Sequence, residues 1–228
     1  MSHSNNTVIG IDVGGPRKGF HAVVLREGEI CGTKTACDPK AIVEWCLEQD
    51  ASVVGVDAPC MWSVADKSRA VERELNQAHI HCFYTPTRER AQGNPFYSWM
   101  LNGEKLFQSL LKHFSLYTGQ RNAKRVCFET FPHAIVCALS GEIVPAHPKT
   151  SVRREVLRKR GLDISRLTNI DFVDAALCAV AAEAFRRGEF DRYGDQKEGF
   201  VVVPKGKLHP CRGRGVTRPS KYRKNKKS

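Results

Sequence analysis

The stretch that most constrains this chain is SVVGVDAP at 52–59, a continuous run of apolar and β-branched residues that carries no charge until Asp57. A run of that length without alternation reads as a strand buried on both faces, as in the interior of a parallel sheet. What precedes it is a different kind of β-structure. Residues 7–12 and GFHAVVLR at 19–26 are apolar runs joined by the Gly-Gly-Pro link at 14–18, and GEICGTKT from Gly28 reads as a third strand, so the fold opens on three hairpin-linked strands. Asp38-Pro39 then sets an N-cap and a proline at the first helical position, and Ile42, Val43, Cys46 and Leu47 share one face of the helix that follows.

Residues 60–121 read as a mostly helical insertion: a helix near 66–79, the loop YTPTRERAQGNP, and the amphipathic GEKLFQSLLKHF. RVCFETFP at 125–132 returns to the sheet. Helices follow at about 133–139 and 149–160, then a long Ala-rich helix ends at Gly188, and GFVVVP forms a last short strand. A hairpin triplet followed by crossover-linked strands predicts a mixed α/β sheet with strands 1, 4 and 5 parallel and helices on both faces. The chain of 228 residues, 41% apolar, is long enough for one such domain over 1–204.

The remainder, 205–228, holds ten Lys or Arg and no acid, and accounts for most of the net charge of +12. Its Gly, Pro and Lys content predicts a disordered basic tail that gains affinity for phosphate backbones by counterion release. The beginning of the chain, MSHSNNT, is polar, and no stretch approaches the ~18 uncharged apolar residues of a membrane span. We therefore expect a soluble, cytoplasmic protein. The nine cysteines include no C-x-x-C pair and are spread through apolar segments, which argues for reduced thiols over a zinc ribbon or disulfide framework.

Acids mark where chemistry would sit. Asp12, Asp57 and Glu129 each lie at or near the carboxyl end of an apolar strand, the edge at which open α/β sheets bind ligands. Asp171 and Asp174 share one face of the late helix. Each has a plainer explanation: Asx turns for Asp12 and Asp57, an arginine partner for Glu129, and a capping box Thr168-x-x-Asp171 at the helix start. Asp174 is hardest to dismiss, because the small apolar residues after it, AALCAVAA, require close packing and a charge there needs a partner. Acids converging on one edge repel one another unless a cation is present, and Mg²⁺ or Mn²⁺, as a pair of ions in such chemistry, is the economical choice.

The blocks VIGIDVGGPRKGFHAVVL, VVGVDAP, CFETFPHAIVCALSG and DFVDAALCAVAAEAFRRG through GFVVVP resemble, in order, a nuclease-like family of unknown function in the RNase H-like superfamily. RAVERELNQ, FYTPTR and KTSVRREVLRKRGL are similar too. The resemblance spans nearly all of the chain up to Pro204 and implies an RNase H-like fold with a five-stranded mixed sheet. It also implies a metal-dependent nuclease acting on DNA or RNA, with Asp12, Asp57, Glu129 and Asp174 as metal ligands and Asp171 as an auxiliary. At 133 this chain carries His where the family pattern leads to an acid, and the basic tail lies outside the resemblance.

Around these acids, Arg88, Lys149, Arg153 and Arg154 are candidates for holding phosphates, although each also suits a solvated helix face. Phe83, Tyr84, Phe96, Tyr97 and Trp99 could stack bases or simply pack the insertion. His21 reads as a core histidine in preference to a general base. Two other function classes share these features. One is a catalytically silent nucleic-acid-binding module on the same fold. The other, starting from GIDVGG, is an actin-like or sugar-kinase ATPase, which needs a second Gly-rich phosphate loop that the sequence does not supply.

Overall fold

The computed structural model describes residues 6–65 and 68–206. The basic tail from 207 onward, and with it the expectation of disorder, lies outside the described residues.

Strands β1 (Thr7–Val13), β2 (Phe20–Arg26) and β3 (Glu29–Ala36) form the opening antiparallel meander, and α1 (Pro39–Glu48) crosses over to β4 (Val53–Asp57). Asp38 caps α1 as its sequence requires, accepting a hydrogen bond from the Lys40 amide at 3.0 Å with Pro39 in the first turn. Between β4 and β6 (Val126–Glu129) lie α2 (Ala70–Gln77), α3 (Arg88–Gln92), a 3-10 turn at Pro95–Tyr97, α4 (Ser98–Leu110) and the two-residue β5 (Ser115–Leu116). After β6 come α5 (Pro132–Ser140), α6 (Lys149–Lys159), α7 (Ile170–Arg187) and the hairpin β7 (Phe190–Asp195) and β8 (Gly199–Pro204).

These strands make one mixed sheet in the order β3-β2-β1-β4-β6-β8-β7, with β5 paired to β6. β1, β4, β6 and β8 are parallel neighbours, while the β1-β2-β3 meander and the β8-β7 hairpin flank them with antiparallel pairings. The sheet has eight strands, where the resemblance implied five and the sequence pattern marked six. The additions at β5 and β7 are short or polar: β7, FDRYGD, lies at the sheet edge with no face fully buried and offers no apolar alternation to read.

Helices cover both faces, and the period-two alternation of the strands assigns each residue to one of them. Ile9, Ile11 and Val13 of β1, with Val54 and Val56 of β4, join a core with α1 and α4. Val8 and Val53 join the other core, beneath α5, α6 and α7. By the same alternation, Gly10 and Asp12, and Gly55 and Asp57, face α7.

That helix comes unusually close. A Cβ built on Gly10 would fall 2.0 Å from the Ala175 carbonyl oxygen, and one on Gly55 would fall 2.7 Å from that of Cys178. Gly10 and Gly55 are register partners, so two adjacent glycines form a flat bed into which the small residues of α7 settle. No helix among the described residues is long and apolar enough to cross a membrane. The eight described cysteines are all free, and Cys46, Cys127, Cys137 and Cys178 are buried.

Candidate metal centre

Asp12 and Asp57 are register partners at the carboxyl ends of β1 and β4, two residues beyond the glycine pair. Because α7 rests on those glycines through Ala175, Cys178 and Ala179, its preceding turn, carrying Asp171 and Asp174, projects over the strand ends. Strand register and helix packing thus gather four acids from three elements.

Their electrostatics reflect that crowding. The Asp12 carboxyl is pushed up to about 7, first by burial and then by the charges of Asp174 and Asp171. Asp57 is raised well above the usual carboxylate range, by burial and then by Asp12 and Asp174. Three cations from two places, the β1–β2 link and α6, answer the repulsion. Lys18 reaches Asp171 at 2.6 Å, Lys149 reaches Asp174 at 2.8 Å, and Arg153 hydrogen-bonds the other oxygen of Asp174. The first of these depends on the link between β1 and β2. Its turn closes with the Gly14 amide bonded to the Gly19 carbonyl at 2.8 Å, and a Cβ on Gly14 would meet the Lys18 side chain at 2.8 Å. Gly14 therefore makes room for a lysine that folds back over the acids.

His21 completes the group. It stands opposite Asp12 in the antiparallel pairing of β1 and β2, packs edge-on to Phe172 with ring centroids 5.0 Å apart, and keeps its Nδ1 buried without a hydrogen-bond partner. Burial favours its neutral form, against the opposing pull of Asp171. One ligand atom each from Asp12, His21 and Asp171 lie within 4.8 Å of one another. Small side-chain rotations would bring them onto one cation at the ~2.0–2.1 Å typical of Mg²⁺. Carboxylates with one neutral imidazole suit Mg²⁺ or, better, Mn²⁺.

The remaining expected site residues divide between this group and other partners. Glu129 pairs in register with Val56, one residue short of Asp57, and lines a pocket together with Asp57 and Arg69. There the Arg69 guanidinium holds it at 2.6 and 2.9 Å, and the Cys60 amide donates to it at 2.9 Å. The arginine partner foreseen as the plainer explanation is Arg69. Asp171 is not part of a capping box: Asn169 caps α7, accepting from the Phe172 amide at 2.9 Å, which leaves the Asp171 carboxylate for Lys18 and His21. Arg88 pairs with Glu104 at 2.7 Å, and Arg154 donates to the Leu167 carbonyl at 2.6 Å, tying α6 to the segment before α7. Lys149 and Arg153 alone of the four basic candidates reach the acids. Lys18 was not singled out from the sequence, since its contact with Asp171 joins residues 153 apart and leaves no local pattern.

The chain matches a family described as a protein of unknown function (DUF429) over residues 10–199, which takes in every acid discussed above. No curated protein and no solved structure matches it.

Proposed function

The chain belongs to the DUF429 family of unknown function, and we propose that it is a divalent-metal-dependent nuclease of RNase H-like type that hydrolyses phosphodiester bonds of nucleic acid. The mixed sheet and its element order are compatible with that fold. The observation that carries the reading is the convergence of Asp12, Asp57, Asp171 and Asp174 at the carboxyl edge of parallel strands, with the Asp12 carboxyl raised to about 7 first by burial and then by the charges of Asp174 and Asp171. Structural turns and caps do not require four acids in mutual repulsion.

Asp12, His21 and Asp171 would hold one ion, and Asp57 and Asp174 lie beside them to share it or to hold a second. Such ions supply Lewis acidity and a water of lowered pKa. The chain's own part is to fix this donor set on rigid elements, to hold His21 neutral as a ligand or proton acceptor, and to keep Lys18, Lys149 and Arg153 at hand. Those three cations neutralise the acids when no other cation does, and Lys149 and Arg153 become available to a phosphate once their carboxylate is neutralised otherwise.

The same ion pairs favour a second reading. Lysine and arginine already balance much of the acid charge, as a silent nucleic-acid-binding protein would require for stability. Incubation with Mn²⁺ or Mg²⁺ and a panel of single-stranded, duplex and hybrid DNA and RNA separates the two. Cleavage by wild type that falls at least about a thousandfold in Asp12→Asn and Asp57→Asn supports the nuclease. Binding without cleavage across the panel supports the silent module.

A further inference from the structure

An open cleft of ≈ 480 Å³ adjoins the acids, and Asp57, Lys149 and Arg153 belong to its lining. Its other character is aromatic. Phe83, Trp99 and Phe131 line it, and Phe83 is 67% exposed although a ring of that size is normally covered. Phe83 meets Phe96 edge-on at 5.6 Å between centroids, and Phe96 meets Tyr97 at 5.1 Å. Phe96 is itself 55% exposed, so a row of rings leads from the cleft onto the surface. Trp99 and Phe131 each pack one side against the hydrophobic cores, which fixes them as rigid walls.

Resting on the nuclease reading, we infer that this cleft is a nucleobase subsite that takes one unpaired base between aromatic rings and sets its phosphate against Lys149 and Arg153 beside Asp57. The argument is one of complementarity. The volume falls in the ~300–1,000 Å³ range of small-ligand clefts. The rings offer π-faces, which a base exposes only when it leaves the helical stack. The charged end holds two cations against a carboxylate, so a phosphodiester finds both donors and a place for a bridging cation. A continuous duplex presents phosphates but no base faces, and leaves the exposed rings unused. The substrate class is therefore single-stranded nucleic acid, or a strand splayed at a loop, nick or end.

The test is fluorescence anisotropy with the full-length protein, Mn²⁺ and a labelled phosphorothioate strand of about twelve nucleotides, which resists cleavage, beside a duplex of the same sequence. Salt near 0.3 M suppresses the sequence-independent contribution of the basic tail. We expect the single strand to bind at least about tenfold tighter than the duplex, and Phe83→Ala and Trp99→Leu each to weaken only the single strand, by about tenfold. Equal affinity for strand and duplex, or variants that bind the strand as wild type does, overturns the subsite. Phe83 is exposed, so its variant keeps the test valid should Trp99→Leu fail to fold. Melting of wild type and Asp12→Asn with and without Mn²⁺ is read in parallel. Mn²⁺ stabilisation without strand preference removes the base subsite and leaves the metal reading standing, whereas strand preference without Mn²⁺ stabilisation upholds the subsite and removes the metal.

Discussion

Arg69 holds Glu129 through both arms of its guanidinium, at 2.6 and 2.9 Å, in a pocket that Asp57 also lines. It also donates to Glu72 at 3.0 Å, and both carboxylates are buried with it. One cation thereby ties α2 and the loop before it to the end of β6. Its burial alone would disfavour the charge, and the two glutamates hold it ionised.

Removing that cation leaves two buried carboxylates uncompensated. We expect Arg69→Met to cost about 3–5 kcal/mol in denaturant unfolding, the range for breaking one side of a buried ion pair. Adding Glu129→Gln should recover part of the loss, because the replaced charge no longer needs a partner. If Glu129 served instead as a ligand of the candidate site, the double variant would lose Mn²⁺ stabilisation that the Arg69→Met single variant keeps.

The approach of α7 makes a second, steric prediction. At Gly10 even the smallest added side chain would overlap the backbone of Ala175 and Ala179, at 2.0 and 2.1 Å. Backbone cannot rotate out of the way as a side chain can, so Gly10→Ala must lift the helix or unseat the strand. We expect a loss of about 3 kcal/mol or more, at the upper end for overpacked cores. Gly28→Ala provides the contrast: nothing lies within 4 Å of its added Cβ, and only its positive φ of 83° penalises the change. A smaller loss at Gly10 than at Gly28 would contradict the close seating of α7, and with it the placement of Asp171 and Asp174 over the strand ends.

How much of this was readable in the sequence follows from which contacts are local. The strands at 8–12 and 53–57, the Asp38-Pro39 helix start and the Gly188 stop are written in short-range pattern, and they appear where expected. The phase of β6 was not readable. Val126, Cys127, Phe128 and Glu129 are all buried, so the run shows no alternation to say which face Glu129 takes, and a carboxyl-end acid looked equivalent to Asp12 and Asp57. The pattern at the start of α7 pointed to Thr168 as its cap, whereas the structure uses Asn169, one residue later, which leaves Asp171 free. Gly10-Ile-Asp12 and Gly55-Val-Asp57 did carry a usable signal. The same spacing of glycine and acid on two strands announces a helix lying on the glycines and a site one turn beyond it. Lys18 and Arg69 reach their partners across long stretches of chain, where no spacing rule applies.

Asp12 gives the fold a pH signature. Its carboxyl titrates near 7 in the folded protein and near 3.8 when exposed, so between those values the folded state binds a proton that the unfolded state has released. Stability from this group is full below about pH 4, declines as pH rises towards 7, and is lost above it. His21 and His133 act oppositely, since burial lowers both and acid therefore favours unfolding. The difference between wild type and Asp12→Asn isolates the aspartate. We expect the variant to match wild type near pH 4 and to melt increasingly higher as pH rises to 7, with a constant gap beyond. A gap that is flat across the range would show that Asp12 is ionised throughout and that its neighbours do not repel it.

The same repulsion governs cation binding. A divalent ion must displace the proton of Asp12 and compete with Lys18, Lys149 and Arg153 for Asp171 and Asp174, so its affinity should climb with pH up to about 7 and level off above, where that proton is already gone. At a hundred times its dissociation constant, an ion that binds only the folded state adds about 2.7 kcal/mol. For a chain of this size that is a rise of roughly 5–10 °C in Tm. Lys149→Met removes one competing cation and leaves Asp174 with Arg153 alone, so the variant should be less stable without metal yet gain more from Mn²⁺ than wild type does. Asp12→Asn should gain least. Melting curves for the three proteins at pH 6 and pH 8, with Mn²⁺ and with chelator, give the comparison directly. If Lys149→Met gains no more than wild type, the lysine and the ion do not contend for the same carboxylate, and the cation site belongs with Asp12, His21 and Asp171 alone.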